Sequence, residues 1–271
     1  MSLCSAGLCR ASQVSEVMTH TKVDVLAVLG RTYLFEVVPP AGLEALLPFA
    51  IPRRYARGEH VYSAGDAANH LPVVAEGTLK HLLPTEDGGE LVLEIAGVGG
   101  ICGEPGLFAR EANRIADLIA LEPSVVINIE KHGLIEFLVR HPLAMLRMLE
   151  GLAEQVRSTA EDLGAVAFRD IRGRLALKLV ELVVTDGRPS DGGIRIVTPL
   201  SQTTLAGMIG ASRENVNRAL RALSVAGYVR VTGKTIVVTD VGALRALSGG
   251  GHRATYRRNI RSSADGVRLR Q

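Results

Sequence analysis

An α+β fold is predicted for this chain: a small antiparallel β sandwich or barrel, then one long helix, then a winged helix-turn-helix. Three observations predict it. From Arg53 to about Glu130, short β-rich runs alternate with turn signals at Arg57-Gly58, Gly65-Asp66, Glu76-Gly77, Asp87-Gly88-Gly89 and Gly97–Gly100. Many short strands at such spacing suit a sandwich or barrel. From Leu143 to Ala167, apolar residues recur in steps of four and three, which is a heptad seam. From Ser201 to Leu223, two short helical patterns meet at Gly210, the arrangement of a helix-turn-helix.

The elements follow in order. Residues 1–22 read as a disordered leader. A domain over 23–142 opens with short helices at Val23–Leu29 and Leu43–Phe49, set around Pro39-Pro40. Its core strands are expected at Val73-Val74, Leu91-Val92-Leu93 and Val125-Val126-Ile127. Pro72 cannot donate to a ladder, so its strand is expected at an edge or at a strand start. Residues 143–168 give the long helix and a hinge. Met145, Leu149, Leu152, Val156, Thr159, Leu163 and Val166 form the seam and predict a coiled-coil contact with a second helix, hence a homodimer. Thr159 is the polar member of that seam. It either sets register or offers its hydroxyl to a ligand held at the dimer interface.

Residues 169–248 form the last folded domain. After the hinge at Phe168-Arg169-Asp170, a helix is expected over Arg172–Val184, with Leu175, Leu177, Leu179, Val180 and Leu182 on its apolar side. Asp186–Gly193 reads as a loop and Ile194–Val197 as a strand. The first helix of the helix-turn-helix presents Thr204, Leu205, Ala206, Met208 and Ile209. Gly210 ends it, and Ser212 caps the second helix by accepting from free N–H groups at its start. That second helix buries Val216, Ala219, Leu220 and Leu223, and exposes Arg213, Glu214, Asn215, Asn217, Arg218 and Arg221. It fits the DNA major groove, where arginine pairs with guanine acceptors and glutamate accepts from cytosine. Two strands around Thr232-Gly233-Lys234 read as a wing resting on phosphates. Residues 249–271 read as a basic disordered tail.

At 271 residues and 47% hydrophobic content the chain can bury two cores. Charge is divided unevenly. Residues 1–169 carry 14 basic and 21 acidic groups, residues 170–248 carry 11 and 6, and residues 249–271 carry 6 and 1. An acidic front and a basic rear suit a protein that sets only its C-terminal part on a polyanion. No apolar run reaches membrane-spanning length and no signal-peptide pattern opens the chain, so a cytoplasmic protein without a membrane partner is expected. Cys4, Cys9 and Cys102 are too few for a disulfide scaffold or a four-thiolate cluster. The seven histidines lack ligand spacing, so no metal is expected. No nucleophile elbow, phosphate loop or zinc-protease helix is present, and no catalytic residue is expected. That argues against an enzyme regulated through the same β fold.

This order of parts resembles the cyclic-AMP receptor protein/fumarate–nitrate regulator (CRP/FNR) family of bacterial transcription factors, over roughly residues 23–248. Gly103-Glu104-Pro105-Gly106-Leu107-Phe108, with Arg114 downstream, is similar to the family's phosphate-binding cassette. Phe168 to Ala176 is similar to its hinge, and Ser212-Arg213-Glu214 with Arg218 and Gly233 to Val238 is similar to its recognition helix and wing. The resemblance implies a cyclic-nucleotide-binding β-roll (a jelly roll) in the sensor domain. It implies Arg114 on a cyclic phosphate, Glu104 on a ribose hydroxyl and Thr159 on the base. Ile115 stands where the family has a phosphate-binding serine, and Ala160 where it has a helix serine. Each change removes a hydrogen bond, about 1 kcal/mol. Gln155 replaces an arginine of the best-known member. Three options stay open: cyclic AMP or a close relative, another nucleotide such as cyclic GMP or a cyclic dinucleotide, and an effector-independent protein with a repurposed pocket. Arg114 has its own alternative, an ion pair with Glu104, Glu111 or Asp117. On the DNA side the resemblance implies that Arg213, Glu214 and Arg218, with Asn217 beside them, read a G-T-G-A type half-site of a palindromic operator. Ser201, Gln202, Ser212 and Lys234 would then contact phosphates, and RNA polymerase is an implied partner.

Overall fold

A computed structural model describes residues 23–85, 89–197, 200–233 and 235–249 of the chain. The leader expected over 1–22 lies outside these residues, as do Lys234 and all of the basic tail beyond Gly249. The chain opens with α1 (Val25–Leu29), capped by the Asp24 carboxylate on the Ala27 N–H, then α2 (Pro40–Leu43) and a 3-10 helix (Glu44–Phe49). The expected second helix tightens to 3-10 form around Pro48, which has no N–H to sustain α-helical bonding. The β domain follows: β1 (Ala50–Tyr55), β2 (His60–Tyr62), β3 (His70–Glu76), β4 (Leu79–Pro84), β5 (Glu90–Ala96), the short α3 (Glu104–Phe108), β6 (Asp117–Ala120) and β7 (Ser124–Glu130).

The strands form two antiparallel sheets, β1-β7-β3 and β2-β6-β4-β5. β3 is an edge of the first, which accommodates Pro72 opposite Asn128. Side chains alternate along β3 and β7. Leu71, Val73, Val125, Ile127 and Ile129 pack with the helices on one face, while Val74 and Val126 join Tyr62, Leu79 and Leu118 between the sheets. All three expected core strands exist. Of the three residues expected in β5, Val92 is buried, Leu93 is half-buried and Leu91 is exposed.

Next come α4 (Lys131–Arg140) and α5 (Pro142–Phe168). α4 was not read from the sequence; it buries Leu134, Phe137 and Leu138 against the first sheet. α5 runs 27 residues and ends where Arg169 turns extended. Asp170 then caps α6 (Ile171–Asp186), accepting from the Gly173 N–H at 2.8 Å. The segment expected as a loop is instead one arm of a hairpin, β8 (Gly187–Ser190) against β9 (Gly193–Ile196). Asp191 and Gly192 make its two-residue turn, with Gly192 at positive φ. The chain continues through α7 (Gln202–Ile209), α8 (Arg213–Val225), β10 (Val229–Thr232), β11 (Thr235–Val238) and α9 (Val241–Leu247). The four C-terminal strands make one sheet, β10-β11-β9-β8. Leu175, Leu179, Leu205, Ile209, Val216, Leu220 and Leu244 build a separate second core beside it. Among the described residues, no helix is long and apolar enough to cross a membrane.

Candidate functional site

The cassette is built around a left-handed glycine. Gly103 has φ +80° and caps α3. A Cβ there would lie 2.6 Å from both Arg114 Nη1 and Tyr62 Oη, so only glycine admits this packing. Pro105 enters the first turn of α3, where its missing N–H costs nothing. Arg114 is 3% exposed. Its Nη1 donates to the Gly103 carbonyl at 3.2 Å, its Nη2 donates to the His70 carbonyl, and the Tyr62 ring lies 4.0 Å from Cζ. Two carbonyls and an aromatic face therefore hold the guanidinium, rather than the carboxylate partner considered above. Its Nε is buried without a partner. Burial pulls the Arg114 pKa down from its ordinary value, although a guanidinium stays charged at any physiological pH.

Glu104 is also buried and accepts from the Tyr33 phenol at 3.1 Å on Oε1. Burial pushes its carboxyl pKa up, opposed by its hydrogen bonds and by Arg114. Like Tyr33, two further residues not read from the sequence complete the cluster. Tyr62 and His81 meet edge to face, with Oη to Nε2 at 3.3 Å. Burial, then the Arg114 charge, lowers the His81 pKa to about 4, which keeps the ring neutral beside the cation. A signal existed in the sequence. Leu79 and His81 share one face of β4, so a histidine sits at an inward position of an alternating strand. Cys102 is fully buried beside this cluster, and burial pushes its thiol pKa up, away from thiolate chemistry.

Ile115 does not join the group. It is 54% exposed, turned away from its buried neighbour Arg114. Thr159 and Ala160 are exposed on α5, and the Thr159 hydroxyl donates to its own helix at Gln155 O, 2.8 Å away. Thr159 shares an exposed face with Leu149 (57%), Val156 (71%), Leu163 (70%) and Val166 (51%). Within one protomer, then, Gly103, Glu104, Pro105 and Arg114 come together, while Thr159 and Ala160 stand with the apolar stripe that awaits a second helix.

The C-terminal arrangement matches the expectation closely. Ser201 Oγ accepts from Thr204 N at 3.0 Å and caps α7; Ser212 Oγ accepts from Asn215 N at 3.3 Å and caps α8. Gly210, with φ +57°, makes the turn between them. Arg174 Nη1 donates to Ile209 O at 2.9 Å and ties that turn to α6. Val216, Ala219, Leu220 and Leu223 are buried, whereas Arg213, Glu214, Arg218 and Arg221 are exposed and Asn217 is half-buried. Ser201 and Gln202 are half-buried at the start of α7. β10 and β11 pair up to Thr232 and Thr235 and form the wing. The expected phosphate contact of Lys234 falls outside the described residues.

Two family models match these two modules: a cyclic nucleotide-binding domain over residues 52–141, and a Crp-like helix-turn-helix domain over residues 173–247. The chain is 30% identical over 200 residues to the cAMP-activated global transcriptional regulator Vfr of Pseudomonas aeruginosa, covering 72% of this chain and 92% of Vfr. It is 28% identical over 213 residues to a CRP-like cAMP-activated global transcriptional regulator of Mycobacterium tuberculosis, covering 79% of this chain and 95% of that one. Among solved structures, the c-di-GMP responsive global regulator CLP of Xanthomonas campestris matches with a TM-score of 0.64 and 26% identity, over 74% of this chain and all of CLP. A buried arginine beside a left-handed glycine, an unpartnered apolar helix face and a capped basic helix over a wing all agree with these matches: the chain belongs to the CRP/FNR family of DNA-binding transcriptional regulators.

Proposed function

We propose that this regulator acts as a homodimer whose grip on a palindromic operator is set by cyclic AMP or a closely related cyclic nucleotide. One observation carries the effector reading: Arg114 is buried, held in place by carbonyls, and keeps Nε without a partner. A buried cationic donor of that kind calls for an anion. A cyclic nucleotide supplies a phosphate for Arg114 and a ribose hydroxyl for Glu104. Gly103 and Pro105 shape the turn against it; Ala160 contributes contact without a hydrogen bond once the seam is closed, and Ile115, turned outward from Arg114, supplies none. Thr159, on the exposed face of α5, meets the ligand once the seam is closed. The movement of α5 reaches the DNA-binding module through the extended Arg169 and the Asp170 cap. In this reading Arg213, Glu214, Asn217 and Arg218 face bases, and Ser201, Gln202, Ser212 and Lys234 face phosphates. The protein works in the cytosol, meets RNA polymerase at its promoters, needs no metal and catalyses no reaction. The test is titration of the full chain with cyclic AMP, cyclic GMP and a cyclic dinucleotide while a labelled palindrome reports DNA affinity. A tenfold or larger tightening with one nucleotide, lost in Arg114→Leu, is the expected outcome. A DNA affinity that no nucleotide changes would leave the effector-independent alternative standing.

A further inference from the structure

Tyr33 lies ahead of the β domain in sequence yet reaches into the cassette. Its phenol donates to Glu104 Oε1 at 3.1 Å, across 71 positions of chain. The same ring rests on α5: a Cβ added to Gly151 would lie 2.6 Å from Tyr33 Oη and 3.0 Å from its Cε2 and Cζ. Gly151 therefore clears the space this ring occupies. The backbone around Tyr33 is fixed on both sides. Leu34, Phe35 and Thr32 are fully buried, and the Thr32 hydroxyl donates to Leu29 O at 2.8 Å. Phe35 packs edge to face on Phe137 with centroids 5.6 Å apart, and Glu36 lies 3.9 Å from Arg147 of α5. Tyr33 can thus leave Glu104 by rotating its side chain, not by moving its segment.

We propose that Tyr33 is a specificity-determining residue, an internal stand-in for the ribose hydroxyl. Its phenol O–H occupies the carboxylate that a nucleotide's ribose needs, so the ligand exchanges one hydrogen bond for another instead of gaining a new one. The phenol remains a donor because burial, then the Glu104 charge, drives its pKa far up. The exchange cancels most of what a 2′-hydroxyl adds to affinity. Because the displaced ring touches α5 at Gly151, the exchange is also felt on the seam helix. This inference rests on the cyclic nucleotide reading above, and its test separates the two.

The experiment is calorimetric titration of the full chain and of Tyr33→Phe with 3′,5′-cyclic AMP and with its 2′-deoxy analogue. Phenylalanine keeps the ring against Gly151 and removes only the hydroxyl. Tyr33→Phe is expected to bind cyclic AMP about three- to tenfold more tightly, the worth of one hydrogen bond no longer surrendered. Its affinity for the 2′-deoxy analogue stays within about twofold, because that ligand never competes for Glu104. Unchanged or weaker binding of cyclic AMP, or equal tightening for both ligands, overturns the role of Tyr33 while leaving the nucleotide reading intact. Silence in all four titrations removes the nucleotide reading and this role together.

Discussion

At the scale of single residues, the sensor interior is a cationic group wrapped in neutral partners. Arg114 contacts two carbonyls and the Tyr62 ring, and Tyr62 in turn meets a neutral His81. A histidine that must stay neutral ties stability to pH. His81 is 2% exposed, and its pKa falls from 6.5 to about 4 on folding, chiefly by burial. Above pH 6.5 the ring is neutral in both folded and unfolded chains, so it costs nothing. As pH falls from 6.5 toward 4 the unfolded chain takes up the proton and the folded one does not, so stability is lost across that window. The loss attributable to this residue is about 2–3 kcal/mol. Chemical denaturation at pH 7 and pH 4.5 measures it, with His81→Phe expected to reduce the difference by about that amount, while His70, which burial also lowers to about 4, keeps its own share. An equally steep loss in that variant would assign the pH dependence to other groups.

At the scale of elements, α6, α7, α8 and the long α5 were legible because their information is local. Ser201 and Ser212 cap the helices they precede, and the four-residue stripe of α8 is buried as its spacing requires. α4 was missed because it depends on burial against a sheet formed from distant strands. The β8–β9 hairpin was missed because its first arm, Gly187–Ser190, is polar and carries no strand pattern, although its Asp191-Gly192 turn is a local signal. The site divides in the same way. Gly103, Glu104 and Arg114 could be read from the resemblance of their motif to the family's cassette, whereas Tyr33, Tyr62 and His81 reach it by long-range packing. The opposite directions of Arg114 and Ile115 follow from alternation at adjacent positions, with 3% and 54% exposure. α5 carries the prediction that belongs here. Leu163 is 70% exposed and Val156 71%, on a face whose heptad spacing needs a second helix to cover it. Burying one leucine contributes about 1.5–3 kcal/mol, and a symmetric seam buries it twice. Leu163→Asp places two carboxylates there instead, so dimer affinity is expected to fall by at least about 100-fold, as sedimentation equilibrium reads it. A variant as dimeric as its parent would move the interface off this face.

At the scale of the whole molecule, the DNA-binding module is joined to the sensor by more than its hinge. Lys178 of α6 lies 3.8 Å from Asp162 of α5. α7 also packs directly on β5: a Cβ on Gly207 would lie 2.7 Å from Val92 Cγ2 and 2.8 Å from the Glu90 carbonyl. Glu90 is itself held by Lys80 of β4 at 2.5 Å, so the sheet edge that meets α7 is tied to the strand carrying His81. An effector shifts DNA affinity only as far as it distinguishes two arrangements of sensor and reader, and a contact between them that changes is part of that difference. Gly207→Leu removes this docking, since no side chain fits between α7 and β5, while leucine is a good helix former and leaves α7 itself sound. The expected outcome is a loss of coupling rather than of reading. Fluorescence anisotropy should show the ratio of operator affinities with and without cyclic AMP moving several-fold toward one. Discrimination between correct and altered half-sites, which the proposed function assigns to Arg213, Glu214 and Arg218, should stay as it was. An unchanged ratio would mean that α5 and its hinge carry the signal alone and that α7 merely rests on β5.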